Sequence, residues 1–224
     1  MSKSNTVNEF KSDSIHYNEN IKKCKFADES CFIERFNYVF RTRKNGDPEL
    51  NLVKLEPLDI SKISIKQPGA VVNIDLEFIN SKLHGLSEAV LIQAKGPYLD
   101  PTKPVEFRAK GDLVALIGDY KIEGRVLFLP IVGGGSSNMT ISREHVKIRK
   151  LAADIKIGQL YIKFENLFNG NKELSDNMNL FLNENWREIW SEVKRPTLAA
   201  YEIIFQTLIQ NTLDKIPYNE LFDE

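Results

Sequence analysis

Apolar and polar residues alternate along several long stretches of the chain. From Val72 to Phe78 every second residue is apolar and those between are acidic or amide residues. The same alternation recurs over 105–117, 120–128 and 155–164, the last with a slip near Gly158. It predicts strands with one dry and one wet face in an antiparallel sheet. Strands much longer than the usual length of about 5–6 residues tend to coil, so we expect a long, strongly curved sheet.

A short helical pattern precedes these strands. Apolar residues recur on one helical face at Phe32, Ile33, Phe36, Val39 and Phe40. The spacing predicts a helix over 29–44, capped by Asp28 or Ser30 and ended by the turn residues 45–48.

A much longer helical pattern runs from Leu174 to about Leu213, with Pro196 near its midpoint. Its apolar stripe consists of Met178, Leu182, Ile189, Val193, Ala200, Ile203, Ile204 and Leu208, with Phe181 at one edge and Trp186 and Trp190 at the other. At 1.5 Å per residue this helix would be about 60 Å long. Because proline lacks the backbone donor, we expect a kink at Pro196.

These elements together predict an α+β fold. The long, strongly curved antiparallel β-sheet wraps around one long C-terminal α-helix, so that the dry face covers the apolar stripe. Small residues on the predicted dry face, such as Ala109, Gly111 and Ala115, leave space inside. We therefore expect an elongated apolar cavity, a kind of site that takes small apolar ligands.

The candidate ligand-binding residues follow from this arrangement. They are Phe181, Asn185, Trp186, Ile189, Trp190, Val193, Ile203 and Ile204 on the helix, and Leu113 and Phe128 on the strands. Trp186 and Trp190 are placed either to flank a cavity or to pack as core. The Asn185 amide needs a partner inside the stripe, either a strand backbone or a polar group of the ligand. The Thr207 hydroxyl can bond back to its own helix.

Composition and charge narrow the partners. The 224 residues carry a formal net charge of −1, so bulk charge gives no reason to expect a nucleic-acid partner. The chain contains no run of 18 apolar residues, so we expect no membrane span. Its polar start does not resemble a secretory signal. The sequence as it stands predicts a cytoplasmic monomer. Residues 1–20 are polar and aperiodic, which is typical of a flexible arm.

Few residues offer catalytic or metal chemistry. His16, His84 and His145 lie far apart with no partners at ligand spacing, so we expect no metal and no cofactor. The glycine run 133–135 lacks the ending of a phosphate loop and predicts a hairpin turn. Asn138 opens the triplet Asn-Met-Thr, a glycosylation acceptor in an exported protein. Cys24 and Cys31 are either free thiols or a short-loop disulfide.

Several blocks of the chain resemble the insect takeout and juvenile-hormone-binding protein family, from Ile21 onward. The matching blocks are 21–24 with Cys31, Glu56–Asp59, Gly118–Gly124, Leu129–Ile131, Gly135–Thr140, Phe164–Gly170, Asn177–Asn179, Phe181–Trp186 and Ile216–Phe222. The resemblance implies one domain over 21–224, an internal hydrophobic tunnel, and a disulfide between Cys24 and Cys31. It also implies secretion, a link to circadian output, and a non-catalytic carrier for juvenile hormone or another long apolar molecule.

Three features depart from the family pattern. A polar arm stands where a signal peptide is usual, the chain is shorter by about one strand between Thr140 and Asp154, and a second cysteine pair is absent. The shortening puts one tunnel wall in question. The alternative function is therefore a protein-interaction module of the same fold with a closed tunnel.

Overall fold

The computed structural model describes residues 23–100, 103, 106–149, 152–215 and 222–223, without the side chains of 143–149, 152–153, 213 and 215. The strands are β1 (Cys24–Lys25), β2 (Leu58–Pro68), β3 (Val72–His84), β4 (Val90–Lys95), β5 (Glu106–Val126), β6 (Leu129–Arg149), β7 (Ala152–Lys156), β8 (Gln159–Phe164) and β9 (Phe222–Asp223). The helices are α1 (Glu29–Thr42), α2 (Lys172–Glu184) and α3 (Trp186–Lys215). The expected arm, residues 1–20, lies outside the described residues.

The α+β fold predicted from the sequence is confirmed. Seven strands form one antiparallel sheet in the order β2-β3-β5-β6-β7, with β4 pairing with β5 and β8 pairing with β6. Helix α3 contacts β2, β3, β7 and β8, so the sheet curves around it from both sides. The main core lies between the sheet and the first half of α3, and a second cluster packs around Leu208 and Leu55.

The first helix begins where the sequence predicts. Asp28 is its N-cap and its side chain accepts a hydrogen bond from the Cys31 N–H at 3.0 Å. The capping hydrogen bond and the hydroxyl of Ser30 lower the pKa of the Asp28 carboxyl. Cys24 and Cys31 form a disulfide with Cα atoms 5.7 Å apart, which confirms the pairing that the resemblance implies. Strand β1 pairs in parallel with β9, so this bond ties both ends of the described chain to α1.

The long C-terminal helix is divided at Asn185, which the sequence pattern did not predict, and it is not broken at Pro196. The kink expected at Pro196 stays a prediction. Asn185 caps α2, with its backbone N–H bonded to the carbonyl of Phe181 at 3.0 Å. Helix α3 starts at Trp186 and continues through Pro196 to Lys215. An interior proline removes one backbone hydrogen bond, and on either side of Pro196 the residues Val193 and Leu198 pack against the core and hold the helix in place.

The glycine run lies inside β6, so the hairpin turn expected there is wrong. Gly133 pairs with Ile122 of β5, and the turn between the two strands is at Leu127 and Phe128. A Cβ on Gly133 would lie 2.9 Å from the Cα of Leu167. Glycine is needed at this point because the chain after β8 crosses directly over β6.

The alternation in β5 changes phase, which the sequence pattern did not predict. Gly111 and Val114 are both buried, and the two residues between them are both exposed. The change occurs where β5 exchanges its neighbour, since β4 pairs up to Lys110 and β3 pairs from Ala115 onward. Gly85, with φ of +86°, passes so close that a Cβ would lie 2.1 Å from the Leu113 carbonyl oxygen.

The crossover from β3 to β4 is held by one carboxylate. Glu56 accepts hydrogen bonds from the Gly85 N–H at 2.9 Å and the Ser87 hydroxyl at 3.3 Å, and it lies 3.2 Å from His84 Nδ1. These contacts give the Glu56–Asp59 block a structural role.

Candidate ligand-binding site

The inner face of α3 borders three apolar spaces that follow one another along the helix. Apolar residues recur on this face from Ile189 to Leu208, and the curved sheet supplies the opposite walls. The spaces are described from the first half of the helix towards its C-terminal end.

The first space, the Trp190 chamber, has a volume of about 40 Å³. Helix residues Ile189, Trp190, Val193 and Thr197 form one side. The other side is formed by Ile65, Val72, Ile74, Leu76, Ile122, Val126, Ile131, Met139, Leu160, Ile162, Phe164 and Leu182. A space of this size, lined by aliphatic and aromatic side chains, is expected to be dry.

The second space, the Tyr201 chamber, has a volume of about 50 Å³. It is lined by Ile60, Ile63, Ile65, Phe78, Leu83, Val114, Leu116, Met139, Ile141, Thr197, Ala200, Tyr201 and Ile204. Ile65, Met139 and Thr197 line both chambers and therefore separate them. A methionine at this place is notable because its unbranched thioether changes rotamer easily and fills irregular gaps.

The third space, the β2–α3 groove, is open to solvent and has a volume of about 830 Å³. It runs between strand β2 and the second half of α3, from Pro196 to Asn211. Ile60, Ile63, Ala200 and Ile204 line both the groove and the Tyr201 chamber. Ligand pockets usually enclose about 300–1,000 Å³, so the groove alone has the volume of a lipid-sized ligand.

Charge is absent from the inner walls. Among the described residues that line the two chambers, none is an Asp, Glu, Lys, Arg or His, and only Thr197, Tyr201 and Trp190 carry a hydroxyl or N–H group on the side chain. Burial of an ion there would be costly, because no partner is at hand. The chambers therefore suit an uncharged chain, and any polar end of a ligand would have to remain near the groove. The continuous open tunnel expected from the resemblance stays a prediction, since each chamber is smaller than such a ligand.

The structure brings five of the predicted site residues to these spaces. Ile189, Trp190 and Val193 line the Trp190 chamber, and Ile204 lines the Tyr201 chamber. Ile203 is 64% exposed and lies in the groove. Phe181 and Trp186 pack half-buried against the main core, outside the lining of the three spaces.

Leu113 and Phe128 do not face the interior, and their assignment to the dry face is wrong. Leu113 is 56% exposed because the phase change in β5 turns it outward. Phe128 is 83% exposed because it occupies the two-residue turn between β5 and β6.

Neither partner considered for the Asn185 amide is the one observed. Its Nδ2 donates to the carbonyl of Phe181, at 2.8 Å, within the preceding helix. The Thr207 hydroxyl donates to the Ile203 carbonyl at 2.8 Å, as expected for a threonine within a helix.

The sequence pattern missed strand β2 and the residues that it contributes. Ile60, Ile63 and Ile65 form walls of the chambers, together with Met139 and Tyr201. Leu58, Ile60, Ile63 and Ile65 do alternate, with one change of phase. The pattern near Gly158 contains the same kind of slip, and there the structure divides the segment into β7 and β8.

Comparison with known proteins identifies the family. The model of the haemolymph juvenile hormone binding protein family matches residues 6–223. The chain belongs to this family. This match begins at residue 6, whereas the resemblance in the sequence motifs begins at Ile21. Among curated relatives, the circadian clock-controlled protein daywake of Drosophila melanogaster is 28% identical over 227 residues, covering 91% of this chain and 87% of the relative.

Two further relatives match over nearly the same part of this chain. Daywake of Drosophila yakuba is 28% identical and covers 90% of this chain and 86% of the relative. The crystal structure of Takeout 1 from Epiphyas postvittana matches with a TM-score of 0.74 and 26% identity, covering 91% of this chain and all of that one. The haemolymph family is thus represented here by a takeout-like member. None of its described helices contains a stretch long and apolar enough to span a membrane.

Proposed function

We propose that this protein is a non-catalytic carrier of one small, uncharged, apolar ligand with a long chain. The observation that supports this proposal is the run of apolar spaces along α3, in which neighbouring spaces share walls of aliphatic side chains. The name of the family, juvenile hormone binding protein, points in the same direction.

The energetics of such binding are favourable without any ion pair. A ligand that buries ~400 Å² of apolar surface would gain about 10 kcal/mol before the costs of association are subtracted. Its chain would have to displace side chains to pass from the groove into the chambers. Met139 and the isoleucines around it can be displaced in this way, because their side chains contact their neighbours through dispersion forces and without hydrogen bonds.

We further propose that the protein works outside the cell. The disulfide between Cys24 and Cys31 supports an oxidising compartment, since cytosolic thiols are kept reduced. The family description refers to haemolymph, which is extracellular. Both observations favour the secreted alternative over the cytoplasmic one.

A fluorescence experiment tests the carrier function. Trp190 lines a chamber and Trp186 does not, so a Trp186→Phe variant leaves one intrinsic reporter at the site. We expect saturable energy transfer from Trp190 to the neutral apolar probe N-phenyl-1-naphthylamine, with a Kd in the micromolar range or tighter. Long-chain alcohols or esters should displace the probe. Trp190→Phe is the matched control, and native mass spectrometry of the purified protein should reveal any retained lipid.

Absence of saturable binding, together with a mass spectrum that shows no retained lipid, would contradict the carrier function.

A second candidate, the protein-interaction module, is favoured by one observation. Leu113 and Ile117 on β5 and Tyr161 on β8 lie exposed on the outer face of the sheet, on the two strands that flank β6. A Leu113→Ser, Tyr161→Ser double variant that binds the probe normally would show that this outer surface is separate from ligand binding.

A further inference from the structure

The edge strands of the sheet are covered by helices in two different ways. At β4, the Asn37 amide of α1 accepts from the Leu91 N–H at 2.8 Å and donates to the Leu91 carbonyl at 3.0 Å. At β8, Asn179 and Asn183 of α2 make the same paired contacts with Phe164 and Ile162. These two edges are closed by hydrogen bonds between a helix and the strand backbone.

The edge at β2 is covered differently. Strand β2 pairs with β3 on one side, and helix α3 lies along its other side. The two elements meet through the apolar side chains of Ile60, Ile63, Ala200 and Ile204. Separation of these side chains would leave all backbone pairs between β2 and β3 intact, so this seam can open at lower cost than the other two.

Polar contacts hold the seam at its two ends. Asn51 Nδ2 donates to the carbonyl of Asn211 at 2.7 Å, at the C-terminal end of α3. Gln67 Nε2 donates to Glu192 Oε2 at 3.5 Å, near the Trp190 chamber. The β2–α3 groove lies between these contacts, and its floor is the wall of the Tyr201 chamber.

The rim of the groove carries Lys54, Asp59, Lys62 and Lys66, and two of these lysines are paired with carboxylates of β3. Lys62 Nζ lies 2.5 Å from Glu77, and Lys66 Nζ lies 2.7 Å from Asp75. These contacts raise the pKa of Lys66 and lower that of Glu77. A carboxylate on an incoming molecule would find Lys62 and Lys66 already paired, and the described lining of the chambers behind the rim contains no cation. A neutral chain with a hydroxyl or ester end therefore suits this route better than an anion.

We propose that the seam between β2 and α3 is a side entrance through which one neutral, long-chain amphipathic ligand reaches the chambers. The ligand lies first in the groove, and its chain then passes between Ile63 and Ala200 while its polar end stays at the rim. This proposal rests on the carrier function. It adds the route and the part of the site that sets the rates of entry and release.

Stopped-flow kinetics with N-phenyl-1-naphthylamine test the entrance. Ala199 is exposed and lines the groove without lining either chamber. An Ala199→Trp variant should obstruct the groove, so that the association and dissociation rate constants both fall about tenfold while Kd changes little. Gln206→Trp is the control, because Gln206 is exposed on the same helix and lies outside the lining of the groove.

Two further variants keep the test independent of one substitution. Ile60→Ala removes part of the wall between groove and chamber, so both rate constants should rise. Thr207→Trp obstructs the groove at a second exposed position and should also slow both rates. It replaces Ala199→Trp as the test if that variant lowers the thermal stability. Ile162→Ala, in the Trp190 chamber and on β8, should instead weaken affinity through faster dissociation.

The outcomes distinguish the two proposals. If the unchanged protein fails to bind the probe, the carrier function itself is wrong. If the probe binds but both groove variants leave its rate constants within about twofold of the unchanged protein, the entrance lies elsewhere. A slower association shared by Gln206→Trp would also overturn the side entrance.

Discussion

At the scale of single residues, asparagine side chains act as substitutes for a neighbouring strand. An edge strand presents unpaired N–H and C=O groups, which must find partners when they are buried. Asn37, Asn179 and Asn183 each bond both groups of one strand residue. Asparagine suits this task because its amide carries a donor and an acceptor at the spacing of a peptide group.

Replacement of Asn183 by leucine should destabilise the protein. The change leaves the N–H and the carbonyl of Ile162 without partners, and we expect a loss of about 2–4 kcal/mol in the free energy of unfolding. Urea denaturation followed by circular dichroism measures the loss. Asn177→Leu on the same helix is the control, because Asn177 is exposed, and it should change stability by less than about 0.5 kcal/mol. Equal effects of the two variants would contradict the role of Asn183.

Tyr120 shows how one buried polar group fixes the crossing over β6. Its side chain is 1% exposed, and its hydroxyl donates to the Glu165 carbonyl at 2.7 Å. Burial, and secondarily the charge of Glu165, raises the pKa of Tyr120 to about 12. The neutral phenol therefore persists over the whole physiological range and keeps its donor role.

At the scale of elements, the phase of β5 determines which residues reach the interior. The strand is 21 residues long and pairs first with β4 and then with β3 along the same edge. Two outward residues in succession, Asp112 and Leu113, accommodate this change of partner. Val114, and not Leu113, is therefore the residue that lines the Tyr201 chamber.

A pair of asparagine substitutions at adjacent positions tests this phase. Val114→Asn places an amide without a partner in an apolar wall, and should cost about 2–4 kcal/mol in the free energy of unfolding. Leu113→Asn changes an exposed residue and should cost less than about 0.5 kcal/mol. Thermal and urea denaturation give both values. A larger loss of stability for Leu113→Asn than for Val114→Asn would mean that Leu113 faces the interior, as the uninterrupted alternation in the sequence predicts.

At the scale of the whole molecule, the outer face of the sheet exposes large apolar side chains beside a glycosylation acceptor. Leu113, Ile117 and Tyr161 are exposed there, and Asn138 pairs with Ile117 across β5 and β6. The Thr140 hydroxyl donates to Asn138 Oδ1 at 2.9 Å, and Asn138 itself is exposed. A glycan on Asn138 would project over this apolar surface.

Secretion from insect cells should therefore yield a protein with one N-linked glycan at Asn138. We expect intact-mass spectrometry to show the added mass, and peptide N-glycosidase F to remove it. Asn138→Gln and Thr140→Ala should each lack it, since the acceptor needs both residues. An unmodified mass for the secreted, unchanged protein would contradict the assignment of this site.

The sequence by itself determined the parts of the structure that depend on local periodicity. It predicted the α+β class, helix α1 with its Asp28 cap, and the apolar face of α3 that carries Ile189, Trp190, Val193 and Ile204. These features follow from the period of 3.6 or 2 residues and from capping chemistry, which act within a few neighbours. The alternation in 72–78 belongs to the same group and corresponds to β3.

Only the tertiary structure decided where that periodicity is broken. The outward position of Leu113 follows from the exchange of β4 for β3 beside β5, and the glycines of β6 follow from the chain that crosses over them. The seam between β2 and α3 also depends on apolar side chains that these two segments bring together, whereas β4 and β8 are held by asparagine side chains of α1 and α2. Each of these features arises from contacts between segments far apart in the chain, and such contacts leave no period in the sequence around them.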